Sequence, residues 1–314
     1  MLLLTLRRLL SAIPVLFIVS LISFGLMRLI PGDPAASIAG TSATPAQIEQ
    51  LRRDLGLDEP LLLQLLHYYQ GLLQGDFGKS LLLGKGVLAA TMERLPVTIG
   101  LSLYALVLTL LIGVASGIIA ALRQNTWVDQ VAMMIAMLGI SIPNFFLGLL
   151  MIIFFAVQLG WLPSGGYVPF LQDPIGWLRS TTMPAISLAL LQAGLLARIT
   201  RSGMLEVLRQ DYVRTARAKG LRERTVVLKH ALRNAILPFI TLLAGVMAEL
   251  FGGAAITEAI FNWPGLGRLL VDSIERNDYS VTMGLTMVSI FLLLLGYLIT
   301  DILYSILDPR IRLS

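Results

Sequence analysis

The chain has 314 residues, no cysteine and two histidines, and Asp, Glu, Lys and Arg together make up 14% of it. The lack of Cys excludes disulfides, thiolate nucleophiles and thiolate metal sites. His67 and His230 fall in separate connecting segments, so no metal site is expected in this chain. No paired-carboxylate, Ser/His/Asp or His-Glu-x-x-His arrangement is visible, so no residue is assigned a catalytic role. Nor does a chain of acids and histidines at helical spacing cross the apolar runs, which counts against a proton-driven carrier. Charge this sparse, set against 56% hydrophobic residues and a mean hydropathy of +0.80, leaves too little polar surface to cover a soluble globule.

What is there is long apolar runs. A membrane helix needs about 20 apolar residues, and six runs supply them, at about 9 to 30, 98 to 122, 130 to 159, 181 to 199, 235 to 261 and 281 to 306. Strands of a β-barrel would be half as long and alternate in polarity. The expectation is an all-α integral membrane protein with six transmembrane helices and both termini on one side. Arg7, Arg8, Arg123, Arg310 and Arg312 place that side in the cytoplasm. The first run follows two arginines but is longer than a signal-peptide core and lacks a small-residue cleavage site, so it reads as an uncleaved anchor. The chain divides into a first helix (1–30), an external loop (31–97), a five-helix core (98–306) containing a basic loop at 200–234, and a cytoplasmic tail (307–314).

In the external loop, Thr44, Pro45 and Gln47 read as an N-cap, a first-turn proline and a capping box, with Gly56 as the stop, which predicts a helix over 45–55. Pro60 opens a second helix, Leu61 to Leu73, closed by Gly75 and apolar enough to lie on a membrane surface or pack on other spans. Gly75-Asp76-Phe77-Gly78-Lys79-Ser80 imitates a phosphate-binding loop, but the first glycine is at the wrong spacing, because Leu73 occupies the required position. Nucleotide binding by this chain is therefore rejected.

Polar residues inside the apolar runs are few. Ser141, Pro143 and Asn144 sit near the middle of the third run, where proline should kink the rod and the amide needs a partner or a wet cavity. Glu249 in the fifth run is costlier to bury and is expected to face the bundle interior, a partner or water. With Ser141, Pro143 and Asn144 it forms the set of pathway or gate candidates. Glu258 and Asp301 lie nearer the interfaces, within easier reach of water. Gly113, Gly117, Gly245, Gly252 and Gly253 read as helix-packing positions, and Met133, Met134 and Met137 as apolar filler.

Ten Lys or Arg residues crowd the stretch Arg198–Arg233. Clustered between apolar spans rather than along a solvated, aromatic-interleaved face, they speak for cytoplasmic retention and against nucleic acid. On one helix, Leu205, Leu208, Tyr212 and Ala216 would share a face, with Gln210, Arg214 and Arg217 opposite, and Gly220 would end it.

Asp211 to Gly220, continued by His230-Ala231-Leu232-Arg233-Asn234-Ala235-Ile236-Leu237-Pro238, resembles the cytoplasmic coupling loop of ABC-type importer permeases of the dipeptide, oligopeptide, glutathione and nickel branch, in particular the first permease of the pair. The resemblance covers nearly the whole chain. It extends to Ile30-Pro31-Gly32-Asp33-Pro34, Leu55-Gly56-Leu57-Asp58, Gly75-Asp76-Phe77-Gly78, Phe261-Asn262-Trp263-Pro264-Gly265-Leu266-Gly267-Arg268 and Asp308-Pro309-Arg310-Ile311-Arg312. The usual Glu-Ala-Ala start aligns with Arg214-Thr215-Ala216, and the run from Gly220 to Pro238 is longer than in sugar permeases; both are features of the peptide branch.

The resemblance implies a type I ABC importer permease fold in a bacterial inner membrane, in contact with membrane lipid. It also implies a homologous second permease subunit, two cytosolic ATPase subunits that bind ATP and Mg, and an external solute-binding protein. Tyr212, Arg214, Thr215, Ala216, Arg217, Lys219 and Gly220 would couple to the ATPase, with Lys219 and the neighbouring arginines pairing with its carboxylates. Trp263, Pro264, Gly265 and Arg268 would touch the binding protein or frame the outer gate. The implied cargo is a di- or oligopeptide, with glutathione or a nickel chelate as alternatives. An ATP-independent channel or secondary carrier would instead require inverted repeats and matched broken half-helices, neither of which the sequence displays.

Overall fold

The computed structural model describes residues 2–29, 33–39, 43–54, 56–80, 82–235, 245–247, 250 and 254–307. The described residues are mostly helical, and the chain forms two compact units, Met1–Thr98 with Pro264–Leu294, and Ile99–Trp263 with Leu295–Ser314.

In the first unit, α1 (Leu2–Leu29) and the short α2 (Pro34–Ala39) precede α3 (Pro45–Asp54) and α4 (Leu61–Leu73). The capping box forms as expected: the Gln47 side chain accepts from the Thr44 N–H at 2.8 Å, and Thr44 Oγ1 accepts from the Gln47 N–H at 3.4 Å. Gly56 and Gly75 take φ of +64° and +76° after the two helices. Asp33 ties this region down by accepting from the Ala35 N–H at 3.0 Å and from Arg52 at 2.5 Å.

The phosphate-loop imitation is a hairpin. β1 (Lys79–Ser80) pairs antiparallel with β2 (Lys85–Gly86), and the Val87 N–H donates to Gly78 at 3.0 Å as α5 (Val87–Leu122) begins. This helix starts well before the expected span boundary at 98, so the 31–97 loop ends in membrane-type helix. Val87, Ala90, Leu266, Leu269, Val281 and Leu285 form the core here, joining α5 to α12 (Leu266–Glu275) and α13 (Tyr279–Leu307). The approach is close: a Cβ on Gly284 would stand 2.5 Å from Val87.

In the second unit, α8 (Pro174–Val207) packs on the rest of α5, on α6 (Trp127–Ser141) and on α7 (Asn144–Met151), which continues as the π-helical segment Ile152–Gln158. Glycines make the contacts possible. A Cβ on Gly117 would lie 2.7 Å from the Ala197 carbonyl, and one on Gly194 would lie 2.4 Å from the Ala136 carbonyl, so α8 meets both neighbours backbone to backbone. Gly113 plays the packing role expected of it, whereas Gly245 faces open space. Asp173 caps α8 by accepting from the N–H groups of Ile175 and Gly176 at 3.1 and 2.9 Å.

The third run corrects its expectation. It is not a kinked rod but two helices, Trp127–Ser141 and Asn144–Gln158, bent by 104°. Pro143 has no N–H to give, and Ile142 adopts extended backbone (ψ 122°), so the ladder stops outright. A broken half-helix therefore exists although the sequence showed none.

Among the described residues, three helices are long and apolar enough to span a membrane, Val87–Leu122, Pro174–Val207 and Tyr279–Thr300, with the bent pair a fourth and Leu10–Gly25 a shorter apolar stretch. The fifth expected span, 235–261, lies partly outside the described residues, with Glu249, Gly252 and Gly253. The expected 307–314 tail lies outside them as well, apart from Leu307.

Candidate functional site

The basic loop begins where α8 ends. The chain does not run on as one helix: Gln210 is extended (ψ 147°), and a turn at 208–210 separates Val207 from α9 (Asp211–Ala218). Leu205 and Leu208 therefore do not share a helix face with Tyr212 and Ala216. The buried face of α9 is Val213 and Ala216, set against Val226, whereas Tyr212 is 43% exposed and its hydroxyl accepts from the Asn234 amide at 2.7 Å. The expected and observed faces share Ala216, but Val213 takes the buried place expected of Tyr212, one residue or about 100° round the helix, because Val226 supplies an apolar partner that no local spacing announces.

α9 ends on a full Schellman cap. Gly220 takes φ +75°, its N–H donates to Arg217 at 2.9 Å, and the Leu221 N–H donates to Ala216 at 3.4 Å. The chain then passes through α10 (Glu223–Thr225), a π-helical segment Val226–Ala231 and α11 (Leu232–Ala235). Arg217 grips Glu223 with two nitrogens, at 3.1 and 2.7 Å. That hydrogen-bonded pairing holds the Glu223 carboxyl below its usual range and raises the Arg217 guanidinium further. Arg217 is thus engaged inside the loop rather than offered to a partner, and Arg214 leans on Asp211 at 3.5 Å. Thr215, Lys219 and Gly220 lie exposed. The result is a short rod with an apolar underside, a polar outer face and a rigid stop.

Sequence reasoning missed the pair that ties α8, the helix leading into this rod, to α6. Arg201, near the end of α8, clamps Asp129 at the start of α6 through Nε–Oδ1 and NH2–Oδ2 contacts of 2.6 Å each. Asp129 also accepts from the Asn125 N–H at 3.0 Å. Asp129 is among the buried polar residues. The available signal was one acid and one arginine placed near the ends of two apolar runs, where isolated charge is expensive. The Ser80 hydroxyl, which donates to Asp278 at 2.5 Å inside the first unit, was missed as well, although Asp278 doubles as a cap by accepting from Val281 at 3.2 Å.

Of the remaining candidates, Ser141 and Pro143 are exposed at the α6–α7 break and Asn144 is half-buried. The Ser141 hydroxyl donates to the Met137 carbonyl at 2.9 Å, and the Asn144 side chain accepts from the Phe145 N–H at 2.7 Å. Trp263 is fully buried edge-on against Tyr167, with ring centroids 4.9 Å apart. Glu258, expected within reach of water, is fully buried too. Pro264 is half-buried and Gly265 buried. The Leu266 N–H next to Gly265 donates to Thr98 at 2.8 Å. Arg268 stands 3.8 Å from Asp272. The structure does not gather Trp263, Pro264, Gly265 and Arg268 into an exposed patch.

Comparison with known proteins follows the same lines. Residues 113–313 match the family described as binding-protein-dependent transport system inner membrane component, and residues 1–102 match its N-terminal counterpart. A putative peptide transport system permease protein of Brucella abortus is 48% identical over 98% of both chains. The glutathione transport system permease protein GsiC of Escherichia coli is 44% identical over 98% of this chain and 97% of that one. Among solved structures, the MetNI methionine ABC transporter in an inward-facing conformation overlays with a TM-score of 0.56 at 18% identity, covering 70% of this chain and 96% of that chain, which speaks to fold alone. The chain belongs to the family of binding-protein-dependent transport system inner membrane components: it is a multi-pass, non-enzymatic permease subunit of an ABC importer, and works with ATPase and binding-protein components.

Proposed function

We propose that this chain forms one half of a translocation pathway for di- or oligopeptides, and that α9 is the lever by which a cytosolic ATPase drives it. The observation that carries the reading is α9 itself. Eight residues with an apolar underside on Val226 and a Schellman stop at Gly220 make a rod that transmits a push without unfolding. Its exposed side chains, Arg214, Thr215 and Lys219 with the half-exposed Tyr212, suit a groove carrying carboxylates. In this reading both termini and the 200–234 loop are cytoplasmic, as the arginine distribution requires. Two ATPase subunits bind ATP and Mg, this chain binds neither, and a homologous second permease completes the pathway with an external solute-binding protein on the far side.

The exposed break at Ser141, Pro143 and Asn144 suits a pathway or gate, since a polar interruption on an apolar helix is costly unless water or a partner lines it. Glu249 remains a candidate for the same role. Contact with the binding protein, if it falls on the 263–268 stretch, rests on Arg268 rather than on the Trp263 ring.

The relative at 48% identity is named for peptide transport and the one at 44% for glutathione. Peptide is the first reading, and glutathione or a nickel chelate is the alternative. Measuring ligand binding by the partner solute-binding protein decides among them.

For the lever, the test is Gly220→Val in the assembled transporter. A β-branched residue at φ +75° costs about 1–2 kcal/mol and shifts the exit of α9. Transport per ATP hydrolysed is expected to fall on the order of tenfold, the equivalent of ~1.4 kcal/mol, with membrane insertion intact. Undiminished transport would remove the lever from the account.

A further inference from the structure

α4 occupies a place that the sequence alone leaves open. Its Tyr69 ring stacks on Phe17 of α1 at 5.6 Å, Tyr68 lies 6.1 Å from Phe24, and the Tyr69 hydroxyl shares a hydrogen bond with Ser20 at 2.7 Å. Those α1 residues belong to its apolar stretch Leu10–Gly25. A helix docked along that stretch sits at bilayer depth instead of in the aqueous space beyond it. Tyr68 is half-buried there.

A second side of α4, about a quarter turn from the one on α1, is equally apolar. At 100° per residue, Leu65, Tyr68, Tyr69 and Leu72 point toward α1, and a second wedge carries Leu62, Leu66 and Leu73, which are 79%, 51% and 89% exposed. From Leu61 to Gly75 there is no Asp, Glu, Lys or Arg, while Asp58 and Glu59 stand just before this stretch and Asp76 and Lys79 just after. Gln64, His67 and Gln70 hold the polar side, with Gln64 reaching the Glu59 carbonyl at 2.6 Å and His67 the Glu59 carboxylate at 2.9 Å. An uncharged helix with charged flanks, one apolar face on a membrane span and another bare, has the composition of an element lying in lipid.

We infer that the Leu62, Leu66 and Leu73 face of α4 is covered by lipid acyl chains, so that the connection between the first two spans re-enters the membrane as an interfacial helix. The inference does not depend on which solute is carried or on the role of α9. It makes α4 a fixed outrigger of α1, limiting how far α1 can tilt when the permease changes state.

Because the chain contains no cysteine, single-cysteine variants need no prior replacement. Leu62→Cys, Leu66→Cys and Leu73→Cys, each carrying a nitroxide in the complete transporter in liposomes, would be read by power-saturation EPR against oxygen and a water-soluble nickel chelate. Ala46→Cys on the exposed α3 serves as the aqueous reference. The expected result is a shift at all three positions toward high oxygen and low nickel accessibility relative to Ala46. Nickel accessibility equal to that at Ala46 overturns the inference in favour of water, and low accessibility to both reagents overturns it in favour of a covering protein. A second measurement uses the unmodified chain. Photolysis of a phospholipid with a diazirine on its acyl chain should label the tryptic peptide spanning 54–79 within 61–73, and absence of label there contradicts the proposal even if a variant fails to assemble.

Discussion

Arg201 and Arg217 do the same chemistry in two different surroundings. Each holds a carboxylate through two nitrogens. Asp129, the partner of Arg201, is 5% exposed at its side chain, whereas Glu223, the partner of Arg217, is 56% exposed. In the first surroundings the carboxylate is shielded from water, so losing its arginine leaves it stranded; in the second, water and salt take over at once. The buried pair is therefore a lock between α6 and α8, and the exposed one is a brace that trims the geometry of α9 without deciding whether it folds.

That contrast can be broken most severely at the lock. Arg201→Ala strands the buried Asp129 carboxylate and is expected to cost about 3–5 kcal/mol, read as a large fall in thermal stability of the purified transporter. The double change Asp129→Leu with Arg201→Leu should recover much of the loss, because a buried ion pair is often replaceable by apolar side chains. If the single and double variants are equally damaged, the pair is not acting as a lock. Next in size is Asp278→Ala in the other unit, which leaves the buried Ser80 hydroxyl proton without its acceptor and removes a helix cap. A loss of about 1–3 kcal/mol is expected, measured by the same thermal shift.

At the brace the effect is smallest. Glu223→Gln should cost about 0.2–1 kcal/mol, and it carries a pH signature. Arg217 depresses the folded-state pKa of Glu223, so the contribution is complete above the ordinary carboxylate pKa and is lost as pH falls through the depressed value. Protease protection of the 211–235 loop should therefore differ between wild type and variant at neutral pH and converge on acidification. A difference that persists in acid would mean that Glu223 acts through something other than its charge.

The same contrast explains what could be read in the sequence. Features set by neighbours in the chain were legible: the Thr44–Gln47 box, the bounds of α4 and the left-handed stop at Gly220 all follow from local chemistry. Features set by distant partners were not. Nothing near Asp129 names Arg201, 72 residues on, and the buried face of α9 turned on Val226. The turn at 208–210 contains neither Gly nor Pro, so helical spacing ran through it. Pro143 was visible, but the step from a kink to a 104° break depends on the helices packed around it. Trp263 was grouped with residues of an outward loop, and its burial edge-on against Tyr167, far back in the sequence, had no local signal.

The lever is tested most directly by crosslinking. A Thr215→Cys variant of the assembled transporter, paired with single cysteines along the groove of the ATPase subunit, should give a disulfide-linked product whose yield changes when ATP is added. A Thr215 position that forms no link in either state and is labelled freely by a membrane-impermeant thiol reagent from outside the cell would contradict the account.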